Sequence, residues 1–557
     1  MFKPTFNQAT KVWSGPKVPP IFNPDQNLGQ LIVKVLEQTP DAETQISADT
    51  NVSVTCGEMR ERILKFAVHL NNLGLKQGDV IGVVAGNTEN IAPVVFACFL
   101  LGLPVNPLAP IMIESDIVQM YSKTKPKLIF CDEKNFKIVQ NAVDMMKSES
   151  KIYTVMERVD GYECVTEILK NDINLEDFIY PEVNSDSITL ILSSSGSTGS
   201  PKGILKSHKN MIIECHPISN YNPDGVNVLF QYSPIFWYSG LYFLIKGVLY
   251  KYKRIITTQS FSREDFLKIM HKYQVTHVFL PPYAIANLIQ LQNLEPFLNV
   301  KCWMVGGSAV SKFLCEKFQP FIPNGVICIV YACSEQAILT TNQSMEKYGS
   351  SGVVTFNKCL KIIDENGNAQ SNNQQGEICV KSISKFQGYM NEPEKTKEAF
   401  DGEWLKTGDI GYFDDDGYIY IIDRKKDMMK FQGYQVTPSE IETIINEIKG
   451  VVSSCVVGVF DSVNSNDIIH AFVIIEESSD LTENIVLNYV NSKVIDPKKI
   501  RGGVHFVKSF ATGLTGKICR IQMRKQAAEL ININEKVDDH PRFMSSNINI
   551  ICSHKSI

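Results

Sequence analysis

The sequence predicts an α/β protein in which a large layered N-terminal α/β domain precedes a small α+β domain. Three observations lead there. At 557 residues the chain exceeds what a single hydrophobic core supports. Short apolar, β-branched runs alternate with helical stretches through the first 422 residues, the pattern of layered architecture. The texture then changes at Asp423-Arg-Lys-Lys-Asp427, a run of charge too dense for any interior. The expected division is residues 1–422, a connector at 423–430, a small domain at 431–530 and a polar, frayed tail at 531–557.

Taken in chain order, Asp79-Val-Ile-Gly-Val-Val-Ala85 reads as a buried strand. Residues 91–113 are the most membrane-like stretch, but Pro93, Gly102, Pro104, Pro107 and Pro110 interrupt them, so a buried helix followed by a turn and a strand is expected. Lys127-Leu-Ile-Phe-Cys131, Ser187-Ile-Thr-Leu-Ile-Leu192, His277-Val-Phe-Leu280 and Gly417-Tyr-Ile-Tyr-Ile-Ile422 read as further strands. Beyond the charged run, Thr437-Pro-Ser-Glu440 has the form of a capping box with proline at the first helical position. Ile441, Ile444, Ile445 and Ile448 continue at the helical period, and Gly450 closes the element. Strands at 451–459 and 468–475, a helix near 481–489 and a strand at 504–507 complete a module of about 100 residues.

Composition is that of an ordinary globular chain, 44% apolar and 21% charged. A formal charge of −5 gives no electrostatic reason to expect nucleic acid or an anionic membrane as partner. The 14 cysteines show no Cys-x-x-Cys pair and no metal spacing. Cys98, Cys328 and Cys455 sit within apolar runs, which suits a reducing compartment. Met1-Phe-Lys-Pro-Thr-Phe6 lacks the pattern of a secretory signal.

Ser193-Ser-Ser-Gly-Ser-Thr-Gly-Ser-Pro-Lys-Gly203 follows the strand that begins near Ser187 and carries the strongest chemical signal. Glycines at 196, 199 and 203 let backbone N–H groups turn toward an anion, the hydroxyls donate further bonds, and Lys202 adds charge. It is a phosphate cradle, though not a Walker loop, because Pro201 precedes the lysine where that motif needs glycine. Met304-Val-Gly-Gly-Ser308, Tyr331-Ala-Cys-Ser-Glu335, Lys406-Thr-Gly-Asp-Ile410, the charged run at 423–427, Lys430-Phe-Gln-Gly-Tyr-Gln-Val436 and Gly513-Leu-Thr-Gly-Lys-Ile518 follow. Each alone could be an ordinary turn or strand end; their weight comes from order and context.

In that order they resemble the motifs of the AMP-forming adenylate enzymes, the superfamily of acyl-CoA synthetases, 4-coumarate–CoA ligases and beetle luciferases. The resemblance implies ATP, Mg2+ and coenzyme A as co-substrates and cofactor, and a small C-terminal domain that is mobile about a hinge. By it, Ser194, Ser195, Gly196, Ser197, Thr198, Gly199 and Lys202 hold phosphates. Gly306, Gly307 and Ser308 let adenine and acid approach the backbone, Tyr331 lies along the adenine, and Ser334 bonds a phosphate. Glu335 is the magnesium ligand, a carboxylate plus phosphate oxygens being the usual way to hold that ion. Asp409 takes the ribose hydroxyls and Arg424 reaches the ribose. Lys426 is the rotating residue of the hinge; Lys430, Gln432 and Gly433 line the thiol tunnel. Lys517 bridges the substrate carboxylate and the α-phosphate.

Ser233-Pro-Ile-Phe-Trp-Tyr-Ser-Gly240 supplies the acyl pocket, with Trp237 where beetle luciferases carry histidine and Tyr238 beside it. Ile338 stands where luciferases place a serine. Both changes make the pocket more apolar, so the expected reaction is adenylation of a medium- or long-chain fatty acid and transfer to coenzyme A. Luciferase, an aromatic-acid ligase, or a catalytically inactive acyl- or nucleotide-binding relative are the alternatives. The closing Lys555-Ser-Ile557 does not match the Ser-Lys-Leu address used by peroxisomal members, leaving peroxisome and cytosol both open.

Overall fold

The computed structural model describes residues 3–538 apart from 176–177, 195–201, 217–224, 226, 292, 309, 432–433, 462–465, 477–478 and 513–517. The chain divides into two compact units with the break between Lys426 and Asp427, inside the charged run.

The first unit holds three sheets. One has seven strands in the order Lys202–Ser207, Ile188–Ser194, Val105–Pro107, Ile81–Val84, Leu128–Cys131, Lys151–Thr154 and Glu163–Cys164, parallel except for the hairpin at its edge. A second, of nine strands, has the parallel run Cys302–Gly306, His277–Leu280, Val228–Gln231 and Lys253–Ile256 at its centre. Val326–Cys333 joins it in parallel and turns back as the antiparallel strand Ala337–Asn342. The third is antiparallel and contains Lys358–Ile363, Gly376–Ser382, Trp404–Phe413 and Ile419–Arg424.

Helices Leu28–Glu37, Cys56–Asn72, Ile91–Leu101 and Tyr238–Leu249 share one apolar core with strands of the first two sheets. Every residue of Ile91–Leu101 is buried, which is why that helix is apolar all round. Gly29 lets the first of these helices approach it: a Cβ there would lie 2.2 Å from the Leu100 nitrogen. The membrane-like stretch is thus a core helix ending at Gly102, and among the described residues no helix is long and apolar enough to cross a membrane. The cysteines of the described residues are free thiols, with Cys98, Cys328 and Cys455 fully buried.

In the second unit, Val451–Asp461 and Asn466–Ile475 form an antiparallel pair, with Val504–Phe506 added in parallel. Alternation sends Val456, Ala471 and Val473 toward helices Pro438–Asn446 and Glu483–Lys493, where Ile441, Ile445, Val486 and Val490 are buried. Cys455, Val457 and Phe472 point to the other face.

Three expectations need correction here. The capping box at Thr437 does not form: no side-chain cap bond is made, because Glu440 is held by Lys498 at 2.6 and 2.7 Å and the Thr437 hydroxyl faces the Met428 sulfur. The helix placed near 481–489 begins two residues later, where the Thr482 hydroxyl caps Ile485, and runs to Lys493. The tail beyond 530 is not frayed from the start, since a helix occupies Arg520–Asp538 and crosses that boundary. Its Met523 and Ala527 are fully buried against Cys455, Val457 and Phe472, contacts that the polar composition of the segment hid.

Candidate functional site

The phosphate-loop sequence joins two paired strands, and the register Ser194↔Lys202 brings the two ends of the loop together. Ser195, Gly196, Ser197, Thr198 and Gly199 lie outside the described residues. Lys202 is half-buried, with its Nζ 4.4 Å above the centre of the Tyr389 ring. Backbone bonds from Met390 to the Gly203 oxygen and from Leu205 to the Gly388 oxygen hold the Tyr389 segment against the strand that carries Lys202.

From the other side Tyr389 donates its phenol to Glu335 Oε1 at 2.9 Å. Burial, and then the carboxylate beside it, push that phenol well above its ordinary pKa, so it remains a donor. Glu335 sits in the tight turn between Val326–Cys333 and Ala337–Asn342, closed by a bond from Gln336 N to the Cys333 oxygen. Ser334 precedes it, also half-buried. Among the described residues Glu335 Oε2 has no hydrogen-bond partner.

Within the strand pairing of the third sheet, the chain builds a second constellation. Asp409 and Arg424 are direct partners across the ladder, and the guanidinium Nε donates to Asp409 Oδ1 at 2.7 Å. Tyr331 donates to the other carboxylate oxygen at 2.6 Å. Gly408, at φ +74°, turns the strand just before Asp409. Burial first, and then the Asp409 charge, hold the Tyr331 phenol protonated. Asp409 is buried, whereas half of the Arg424 side chain is exposed, so the guanidinium can swing without unfolding the sheet. The chain crosses from Val330 to Gly306 in the neighbouring parallel strand, and there Gly307, at φ +93°, has open space where a side chain would stand; Ser308 is exposed.

The predicted acyl residues fall on adjoining elements. Trp237 caps helix Tyr238–Leu249 and packs against Phe236 with ring centres 5.3 Å apart. Gly240 admits the Pro234 oxygen, which a Cβ would meet at 2.1 Å. Ile338 is buried in the same apolar core that Tyr238 packs against. Tyr238 is more than an apolar wall: its phenol donates to Glu214 Oε2 at 2.9 Å.

In the second unit Lys430 is exposed in the strand Met429–Phe431, and its backbone N–H donates to Asp467 at 2.7 Å. Gln432, Gly433 and Lys517 lie outside the described residues. The segment carrying Lys517 is flanked by the bridge Thr512↔Ile518 and by a bond from Cys519 N to the Ala511 oxygen. Lys426 ends the main segment of the first unit, immediately before the break.

Sequence reasoning overlooked Tyr389, although it stands in the run Gln387-Gly-Tyr-Met-Asn-Glu-Pro393 just upstream of the motif at 406–410. It also overlooked Lys206, Glu214 and Lys358, buried charges whose only signal is an ionisable residue inside an otherwise apolar run.

The profile of the AMP-binding enzyme family matches residues 33–390, and that of the AMP-binding enzyme C-terminal domain matches residues 440–517. The luciferin 4-monooxygenase of Nipponoluciola cruciata is 32% identical over 497 residues, which are 85% of this chain and 89% of that one. The 4-coumarate-CoA ligase 1 of Narcissus pseudonarcissus is 27% identical over 530 residues, 92% and 96% of the two chains. Among solved structures, the luciferase-like enzyme from the nonluminescent Zophobas morio mealworm superposes with a TM-score of 0.69 at 26% identity, covering 74% of this chain and 99% of its own. With both units matched and the motifs gathered at one place in the first, the chain belongs to the AMP-binding, adenylate-forming enzyme superfamily.

Proposed function

We propose that the protein is an acid–CoA ligase that adenylates a fatty acid with release of pyrophosphate and then passes the acyl group to coenzyme A. The observation that carries this reading is the convergence of Lys202, Tyr389 and Glu335 on one side and Tyr331, Asp409 and Arg424 on the other. Such a pair of anchors suits the two ends of ATP. Lys202 and the loop before it bind the phosphates; Asp409 accepts from the ribose hydroxyls as Arg424 moves aside or joins them. Lys517 supplies the cation for the oxygens that gain charge as the mixed anhydride forms.

The donor set also fits a magnesium ion that arrives with the nucleotide. No group of three or more His, Cys, Asp or Glu able to hold an ion exists among the described residues, whereas the free Glu335 oxygen plus phosphate oxygens is the usual magnesium environment. When bound, the ion neutralises phosphate charge; the residues position it.

Trp237 and Ile338 favour an aliphatic acid over a heterocycle. Incubation with ATP, Mg2+, coenzyme A and laurate or palmitate is expected to give AMP, pyrophosphate and acyl-CoA, and luciferin with ATP is expected to give little or no light. Rapid turnover of coumarate with no turnover of any fatty acid would sink the fatty-acid reading, and emission at beetle-luciferase level would overturn the expectation of darkness.

A further inference from the structure

Behind the Glu335 turn lies a buried charge cluster that the adenylation chemistry does not itself use. Lys206 and Glu214 are both about as buried as side chains become, with 1% exposure each, and their atoms meet at 2.7 and 2.9 Å. The third donor of Lys206 goes to the backbone oxygen of Glu335 at 3.0 Å. Lys358, on the neighbouring sheet, donates to the backbone oxygen of the next residue, Gln336, at 2.8 Å and to the Ser382 hydroxyl at 3.3 Å. Glu214 accepts in addition from Ser384 at 2.7 Å and from Tyr238 at 2.9 Å.

Two ammonium groups therefore hold consecutive carbonyls of the turn that presents the Glu335 carboxylate, while Tyr389 holds the carboxylate itself. The arrangement is costly in the interior. One carboxylate faces two lysines, and burial pulls the Lys358 ammonium down from its ordinary value to about 8, with Glu214 working in the opposite direction. Buried ion pairs add little net stability against well-packed apolar replacements, so their retention calls for another role.

We infer that Lys206 and Lys358, joined through Glu214, are positioning residues that fix the Glu335 turn for metal-bound ATP. This rests on the assignment of Glu335 to the metal in the proposed function. The two ammonium groups reach the turn through its backbone oxygens and not through the Glu335 carboxylate, so they act through the backbone of the turn. Outer partners of this kind typically change metal affinity by about 10- to 100-fold when removed.

Two variants of the full-length protein test it. Lys206→Met combined with Glu214→Gln removes both members of the pair and leaves the buried Lys358 ammonium without the carboxylate that faces it. Lys358→Met removes the surplus cation and leaves the Lys206–Glu214 pair intact, so it retains the fold even where the double variant does not. Mn2+ serves as the spin probe, its affinity measured by electron paramagnetic resonance with ATP saturating, and metal-free ATP affinity is measured separately by calorimetry. In folded variants the expected result is Mn2+ affinity weakened by about tenfold or more while metal-free ATP binding stays within about twofold. Unchanged Mn2+ affinity, or equal losses of Mn2+ and metal-free ATP affinity, would overturn the inference. Absence of pyrophosphate release from the wild-type protein with every acid would instead sink the proposed function, and the Mn2+ comparison would remain readable.

Discussion

His208 shows how a single residue can tie a helix to the core and make it pH-sensitive. It is fully buried, and its Nδ1 accepts from the backbone N–H of Leu28 at 3.2 Å, holding the start of helix Leu28–Glu37. Protonation would put a second donor opposite that N–H, and burial lowers the imidazole to about 4. In the folded protein the ring is neutral across the range in which the unfolded chain, near 6.5, takes up a proton. The unfolded state therefore binds more protons between those values, and stability from this group is present above pH 6.5 and lost as pH falls toward 4. His208→Gln keeps an acceptor for Leu28 without titrating. Wild type is expected to lose up to about 3 kcal/mol relative to the variant across that window, measured by urea unfolding at pH 7, 6, 5 and 4; parallel pH profiles would show that burial does not hold the ring neutral. At this same scale the sequence marks Asp409 and Glu335 by their own motifs, and the roles given to them belong to the proposed function. It was silent where the role depends on a distant partner. Tyr389 meets Glu335 across 54 positions and Lys206 meets it across 129, separations no local pattern encodes.

At the scale of elements, apolar periodicity was a reliable guide wherever both faces of an element tell the same story. The strand at His277–Leu280 and the buried helix Ile91–Leu101 appear where apolar residues crowd together. Helix Arg520–Asp538 was missed because its buried stripe is thin, with Met523 and Ala527 fully buried and Leu530 partly so, among lysines, arginines and glutamines. Its contribution is nonetheless specific. Arg520 grips Glu442 with two nitrogens at 2.6 and 2.9 Å and donates to the Val456 oxygen at 2.6 Å, so the helix start is bonded to the sheet it covers. Met523 then fills the face formed by Cys455, Val457 and Phe472. Met523→Ala leaves a cavity there and is expected to cost the second unit about 2–5 kcal/mol. Hydrogen exchange of amides in Val451–Asp461 reads this directly, with protection falling in that strand and unchanged in Ile81–Val84 of the first unit. Equal loss in both strands, or none in either, would contradict the helix's role as cover for that sheet.

For the whole molecule, the division between Lys426 and Asp427 places Lys202, Glu335, Tyr331, Asp409 and Arg424, the proposed nucleotide anchors, in one unit, with Lys430 in the other. Sequence order alone made the two-part organisation legible, because a run of such charge density belongs at the surface, where Arg424, Lys425 and Lys426 are exposed although Asp427 is buried, and the pattern differs on either side of it. The position of the break within that run depends on packing: Arg424 belongs to the strand Ile419–Arg424, paired with Asp409, and so stays with the first unit. A chain built this way suits two half-reactions served by different residues, one at the break and one in the smaller unit, and two lysines should then fail differently. Lys517 supplies the cation for the carboxylate and α-phosphate in the proposed adenylation, and losing one such preorganised charge typically costs about a hundred- to a thousandfold in rate. Lys517→Ala is therefore expected to abolish pyrophosphate release while leaving thioester formation from a supplied acyl-adenylate near wild type. In the same proposal Lys426 acts through its backbone at the break, and proline fixes φ there. Lys426→Pro is expected to spare adenylation and lose transfer to coenzyme A. Both half-reactions are measured for both variants, pyrophosphate release by a coupled assay and acyl-CoA by chromatography. Equal slowing of the two steps in each variant would show that the two half-reactions are not divided between these lysines.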